Sequence, residues 1–88
     1  MEGALPDMVT PDYVRDLIAR GLDCEHLAVD GDGAHFEAVI VAAAFAGKSR
    51  VARHQLVNRA LGPQMGNEIH ALSMKTLTPE EWRAAGGA

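Results

Sequence analysis

"NEIHALSMKT", residues 67–76, decides how this chain is read. Ile69, Ala71 and Ser73 alternate with His70, Leu72 and Met74. A period of two is the signature of a strand, here spanning 68–76. The alternation sets a titratable imidazole, His70, in the same row as Leu72 and Met74. A histidine at the start of a core-facing row calls for either a hydrogen-bonding partner or a ligand to bind.

Upstream, "RVARHQLVNRAL" carries Val57, Ala60 and Leu61 at helical spacing, flanked by Leu56. Ser49 is placed to cap this helix and Gly62-Pro63 to stop it. Further back, "HLAVD" (26–30) and "HFEAVIVA" (35–42) flank the turn "GDG" and read as a hairpin. Leu27 and Val29 on one strand, and Phe36, Ala38 and Ile40 on the other, point inward. Thr10-Pro11-Asp12 opens a first helix over 10–22, which buries Val14, Leu17 and Ile18 and ends near Gly21. Downstream, Thr78-Pro79-Glu80-Glu81 is a capping box that opens a last short helix around Trp82. Residues 1–9 read as a flexible tail, 10–83 as the domain and 84–88 as a frayed end.

Elements in this order specify an α+β domain. A three-stranded mixed sheet with helices on one face is the economical arrangement for so short a chain. The 88 residues suffice for one modest core, burying roughly 60–65% of the unfolded surface. Aromatic residues make up only 5%, so the core must be aliphatic. Cys24 is the single cysteine, which rules out an internal disulfide and suits a reducing cytoplasm. "MEGALPDMV" has no basic region or long apolar run, so no signal peptide is expected. The longest apolar run, residues 38–46, is far short of the roughly 20 residues of a membrane span.

The net charge of −4 argues against generic nucleic-acid binding. Its distribution is uneven. Nine of twelve acids lie at or before Glu37, whereas Lys48, Arg50, Arg53 and Arg59 follow with no acid among them. Lys48, Arg50 and Arg53 gather at a helix start, where the macrodipole disfavours cations. They form either a solvated face or an anion- or DNA-contacting edge. Ala42 to Ser49 reads A-x-x-x-x-G-K-S, but Ala stands where a phosphate loop needs its first Gly, and a capped turn is the better reading. No nucleophile–base pair and no paired-Cys motif is present, so an interaction module is favoured over an enzyme.

"GDGAHFEAVIVAAAFAGKSRVARHQLVNRAL" followed by "NEIHALSMKTLTPEEW" resembles the BolA-like proteins, most closely their short bacterial IbaG type. The match runs from about Thr10 to Arg83. The resemblance implies an αββααβα fold similar to class II KH domains without their G-x-x-G loop. It implies partnership with a monothiol glutaredoxin around a [2Fe–2S] cluster completed by glutathione, with no cofactor held alone. The family histidine falls on His70, which makes it the expected cluster ligand. A second ligand is expected from the first hairpin, where the family position is Asp32 and the neighbouring His35 could substitute. Asp is a poorer ligand for cluster iron than thiolate or imidazole. The alternative implied function is a DNA-binding stress regulator using Lys48, Arg50 and Arg53. Alone, the protein is expected to be a monomer or weak homodimer, away from membranes.

Overall fold

A computed structural model describes residues 9–32, 34–64, 69 and 71–87. Helix α1 (Pro11–Gly21) leads into strands β1 (His26–Gly31) and β2 (His35–Val41). A 3-10 turn (Ala43–Phe45) precedes helix α2 (Arg50–Leu61), and a second one (Gly62–Gln64) follows it. Strand β3 (Ala71–Leu77) and helix α3 (Pro79–Ala84) complete the described chain. The sheet order is β1-β2-β3. β1 runs antiparallel to β2 with Leu27 opposite Ile40. β3 runs parallel to β2 with His35 opposite Ala71 and Val41 opposite Leu77.

Local chemistry accounts for the element starts. Thr10 Oγ1 accepts from the Tyr13 N–H at 3.1 Å, and Pro11 fills the first helical position. Val9 precedes the cap and Val14 follows it at the spacing of a hydrophobic staple; both are buried in the core. Val9 therefore belongs to the domain rather than to the tail. Ser49 Oγ accepts from the Ala52 N–H at 3.2 Å. Thr78 and Glu81 form the complete capping box.

The inward row of β2, Phe36, Ala38 and Ile40, is buried beneath α1 and α2. Val14, Ile18, Val57 and Leu61 meet it from the two helices, as their spacing predicts. Leu17 is only half-buried against this core, and Ala60 half-buried against α1. Phe45, on the unforeseen 3-10 turn, is fully buried and adds a second aromatic, beside Phe36, to a largely aliphatic core. Gly21 does more than end α1. A Cβ there would lie 2.7 Å from Ala60 Cβ and 2.8 Å from Ala60 Cα, so glycine permits the close crossing of α1 on α2.

The two long helices share one face. α3 crosses the end of the sheet, and its Trp82 stacks on His26 with ring centroids 4.4 Å apart and an 18° interplanar angle. His26 belongs to the alternate row of β1, so Trp82 reaches the opposite face. The end of the chain, read as fraying from 84, is instead a closed cap through 87. Gly86 N–H donates to Arg83 O and Gly87 N–H to Trp82 O, with Gly86 at φ 91°. That is a Schellman motif, and it needs the left-handed conformation that glycine adopts without strain.

Candidate functional site

Two polar patches lie where the sequence places its candidate residues. The first is the β1–β2 turn. Asp32 Oδ1 accepts from the N–H groups of Ala34 and His35, each at 2.9 Å. Asp32 N–H donates to His35 O at 3.2 Å. The N–H bond from His35, then that from Ala34, holds the Asp32 carboxyl below its ordinary range. One carboxylate oxygen is thus committed to shaping the turn. His35 opens β2, exposed, and shares a shallow depression of about 310 Å³ with Asp30, Gly31, Asp32 and Glu37. His70 lies outside the described residues. Of its two neighbours, Ile69 is fully buried and Ala71 stands opposite His35 in the parallel register.

Could this corner hold a [2Fe–2S] cluster? Such a cluster takes four protein ligands, usually thiolates. Among the described residues no three His, Cys, Asp or Glu side chains gather as a metal site. Cys24 is at the far end of β1, half-buried, its thiol donating to Leu22 O at 3.4 Å. Burial pushes that thiol's pKa up, away from the reactive thiolate. The described donors of the corner, an exposed imidazole and a half-engaged carboxylate, fit a cluster only as part of a set completed by another molecule's thiolates.

The second patch is the start of α2. Lys48 and Arg50 are exposed there, as a solvated basic edge requires. Arg53 is not. Its Nε donates to Lys48 O at 2.9 Å, and Nη1 to Thr76 O at 3.1 Å and Glu81 Oε1 at 2.8 Å. Nη2 donates to Glu81 Oε2 at 3.3 Å. Four of the five guanidinium N–H groups are therefore used, and the side chain is only 13% exposed. Arg53 joins α2 to β3 and α3. In turn Arg53, followed by the Thr78 N–H, holds the Glu81 carboxyl below its ordinary range. A cleft of about 620 Å³ runs between this helix start and β3, with His54 in its wall.

Sequence reasoning missed the Arg53 clamp and the His26–Trp82 stack. Only the capping-box glutamate signalled either one, since Glu81 was already known to sit at the start of α3.

The geometry is that of a small α+β domain with two open polar patches. The BolA-like protein family matches residues 19–81, and the chain belongs to that family. It is 35% identical over 83 residues to the DNA-binding transcriptional regulator BolA of Vibrio cholerae, covering 94% of this chain and 76% of that protein. It is 38% identical over 73 residues to the acid stress protein IbaG of Escherichia coli K12, covering 78% and 83%. Among solved structures, a bolA protein homologue from Coxiella burnetii superposes with a TM-score of 0.79 at 44% identity, covering 86% of this chain and 99% of that one. These names are those of a regulator and a stress protein rather than of a reaction. Among the described residues no helix is long and apolar enough to cross a membrane.

Proposed function

We propose that the protein partners a monothiol glutaredoxin in the cytoplasm and helps ligate or transfer a [2Fe–2S] cluster, with His70 as its ligand. The supporting observation is the parallel register of β2 and β3. It sets Ala71, the residue after His70, opposite His35 at the mouth of the first hairpin. Paired strands are about 4.8 Å apart, so the start of β3 and the turn form one corner. Within it His35 is the better second donor, because Asp32 is occupied by the turn. The cluster is cargo whose remaining ligands come from the glutaredoxin and glutathione.

The test is to mix the protein with cluster-loaded monothiol glutaredoxin and record visible circular dichroism alongside co-purification. A new spectrum on a one-to-one complex is expected. An unchanged glutaredoxin spectrum with no complex would end the iron–sulfur reading.

A second reading, DNA binding, is favoured by the exposed Lys48 and Arg50. Arg53 adds little to it, being engaged elsewhere. Two phosphate contacts predict a slope of about −1.8 in log affinity against log salt. Nanomolar, sequence-selective binding at physiological salt would reverse the order of the two readings.

A further inference from the structure

The outer edge of β3 has no paired strand among the described residues. β2 turns its even-numbered residues toward β3: Ala42 N–H donates to Leu77 O at 3.0 Å, whereas Val41 O and His35 O accept from the β1 side. In β3 the odd-numbered residues accordingly face β2, and Leu72, Met74 and Thr76 direct their N–H and C=O groups outward. Thr76 confirms the phase, because its carbonyl is the one that Arg53 reaches. The opposite edge is treated alike: Arg15 Nε donates to Leu27 O at 3.4 Å, and α1 packs over β1. On β3 the arginine covers only the last carbonyl. Among the described residues nothing pairs with the outward groups of Leu72 and Met74.

This open edge forms one wall of the 620 Å³ cleft, through Met74, Thr76 and Leu77. The other wall is the start of α2, through Lys48, Arg50, Arg53 and His54, and the one carboxylate in the described lining, Glu81, is paired with Arg53. Val51, 68% exposed, stands one helical turn before His54 and extends the apolar surface. No acid lies between 48 and 59.

We propose that this cleft receives an extended acidic segment of a partner protein, added as a fourth strand along β3. Strand addition would satisfy the outward groups of Leu72 and Met74, while Lys48 and Arg50 meet its carboxylates. Charge selects this occupant over a second copy of the chain. Pairing β3 with its own twofold mate would bring two basic helix starts together. A nucleic-acid strand is disfavoured because Arg53 is engaged and, among the described residues, the cleft wall offers bases only the His54 ring to stack on, with no Phe, Tyr or Trp. The inference does not rest on the iron–sulfur reading, since no cluster ligand takes part.

The test uses the full-length protein, uniformly 15N-labelled. The probe is a fluorescent decapeptide alternating Glu with Val. Controls are its Lys-for-Glu counterpart, a version N-methylated on every second residue, and a twelve-nucleotide single strand of DNA. Expected is salt-sensitive binding of the acidic peptide, with amide exchange at Leu72 and Met74 slowed at least tenfold. N-methylation along the pairing edge should weaken binding at least tenfold. Lys48→Glu with Arg50→Glu should do the same, since both residues are outside the core. The proposal is overturned if the acidic peptide does not bind, or binds without protecting those two amides. It is equally overturned if the basic peptide or the DNA strand binds more tightly.

Discussion

The hairpin turn and the start of α2 each pair a committed polar residue with a free one. In the turn, Asp32 is held by the N–H groups of Ala34 and His35, while the His35 ring stays exposed. At the helix start, Arg53 is held by two backbone carbonyls and a carboxylate, while Lys48 and Arg50 stay exposed. Residue type does not separate the two roles, since Arg50 and Arg53 are three positions apart on one helix. What separates them is whether the fold supplies partners for the side chain. A candidate binding residue is therefore better judged by its unused donors and acceptors than by its charge.

A cut in the core beneath both patches sets the scale. Leu61 is 1% exposed, and Leu61→Ala should cost about 2–5 kcal/mol in urea unfolding. A loss under about 0.5 kcal/mol would take α2 off the sheet and undo the architecture that both patches share. The two arginines come next. Arg53→Ala removes bonds to two carbonyls and a carboxylate and should cost about 1–3 kcal/mol. Arg50→Ala should stay within about 0.5 kcal/mol. Equal costs for the two would erase the distinction between committed and free.

Acid should act on the committed carboxylates. Asp32 and Glu81 both have their pKa lowered by folding, so in acid the unfolded chain binds more protons than the native state. Their stabilisation is complete above the unfolded values, about 4, and is lost as pH falls through the lower folded values. Thermal melting from pH 7 to 3 should therefore show Tm falling at the acid end. Glu81→Gln and Asp32→Asn should each flatten that fall, and an unaltered slope would mean that neither carboxylate is engaged in solution. The smallest effect concerns the free histidine. His35→Ala should leave Tm nearly unchanged while altering the cluster spectrum with glutaredoxin, whereas Asp32→Ala should loosen the turn without a comparable spectral change. The reverse pattern would make Asp32 the ligand.

Much of this fold was legible because its signals are local. Thr10-Pro11, Ser49 and Thr78-Glu81 each mark a helix start within four residues, and the three caps form. The alternation read over 68–76 and 35–42 located the strands observed at Ala71–Leu77 and His35–Val41 and their inward rows. Long-range partners left no such mark. Arg53 meets Thr76 and Glu81 across 23 and 28 positions, and no periodicity encodes that meeting. Phe45 was hidden for a related reason, since a single 3-10 turn is too short for a pattern to show which side chain goes inside. Gly86 and Gly87 looked like a loose tail because glycine serves caps and flexible ends equally well. At the candidate site, the family motif pointed to His70, and the turn chemistry of Asp32 was visible in "GDG". That the turn would use up the Asp32 oxygen required the geometry.

The most direct test of the central claim is pulsed EPR of the reduced cluster, formed between unlabelled glutaredoxin and this protein labelled with 15N. Wild type should show strong coupling to a 15N nucleus, marking an imidazole of this chain on iron. With His35→Ala in place to remove the second candidate imidazole, His70→Ala should abolish that coupling in a protein that melts like its parent, and Asp32→Ala should retain it. Strong 15N coupling surviving in the His35→Ala, His70→Ala double variant, or none in wild type, would contradict the assignment of His70 as the ligand.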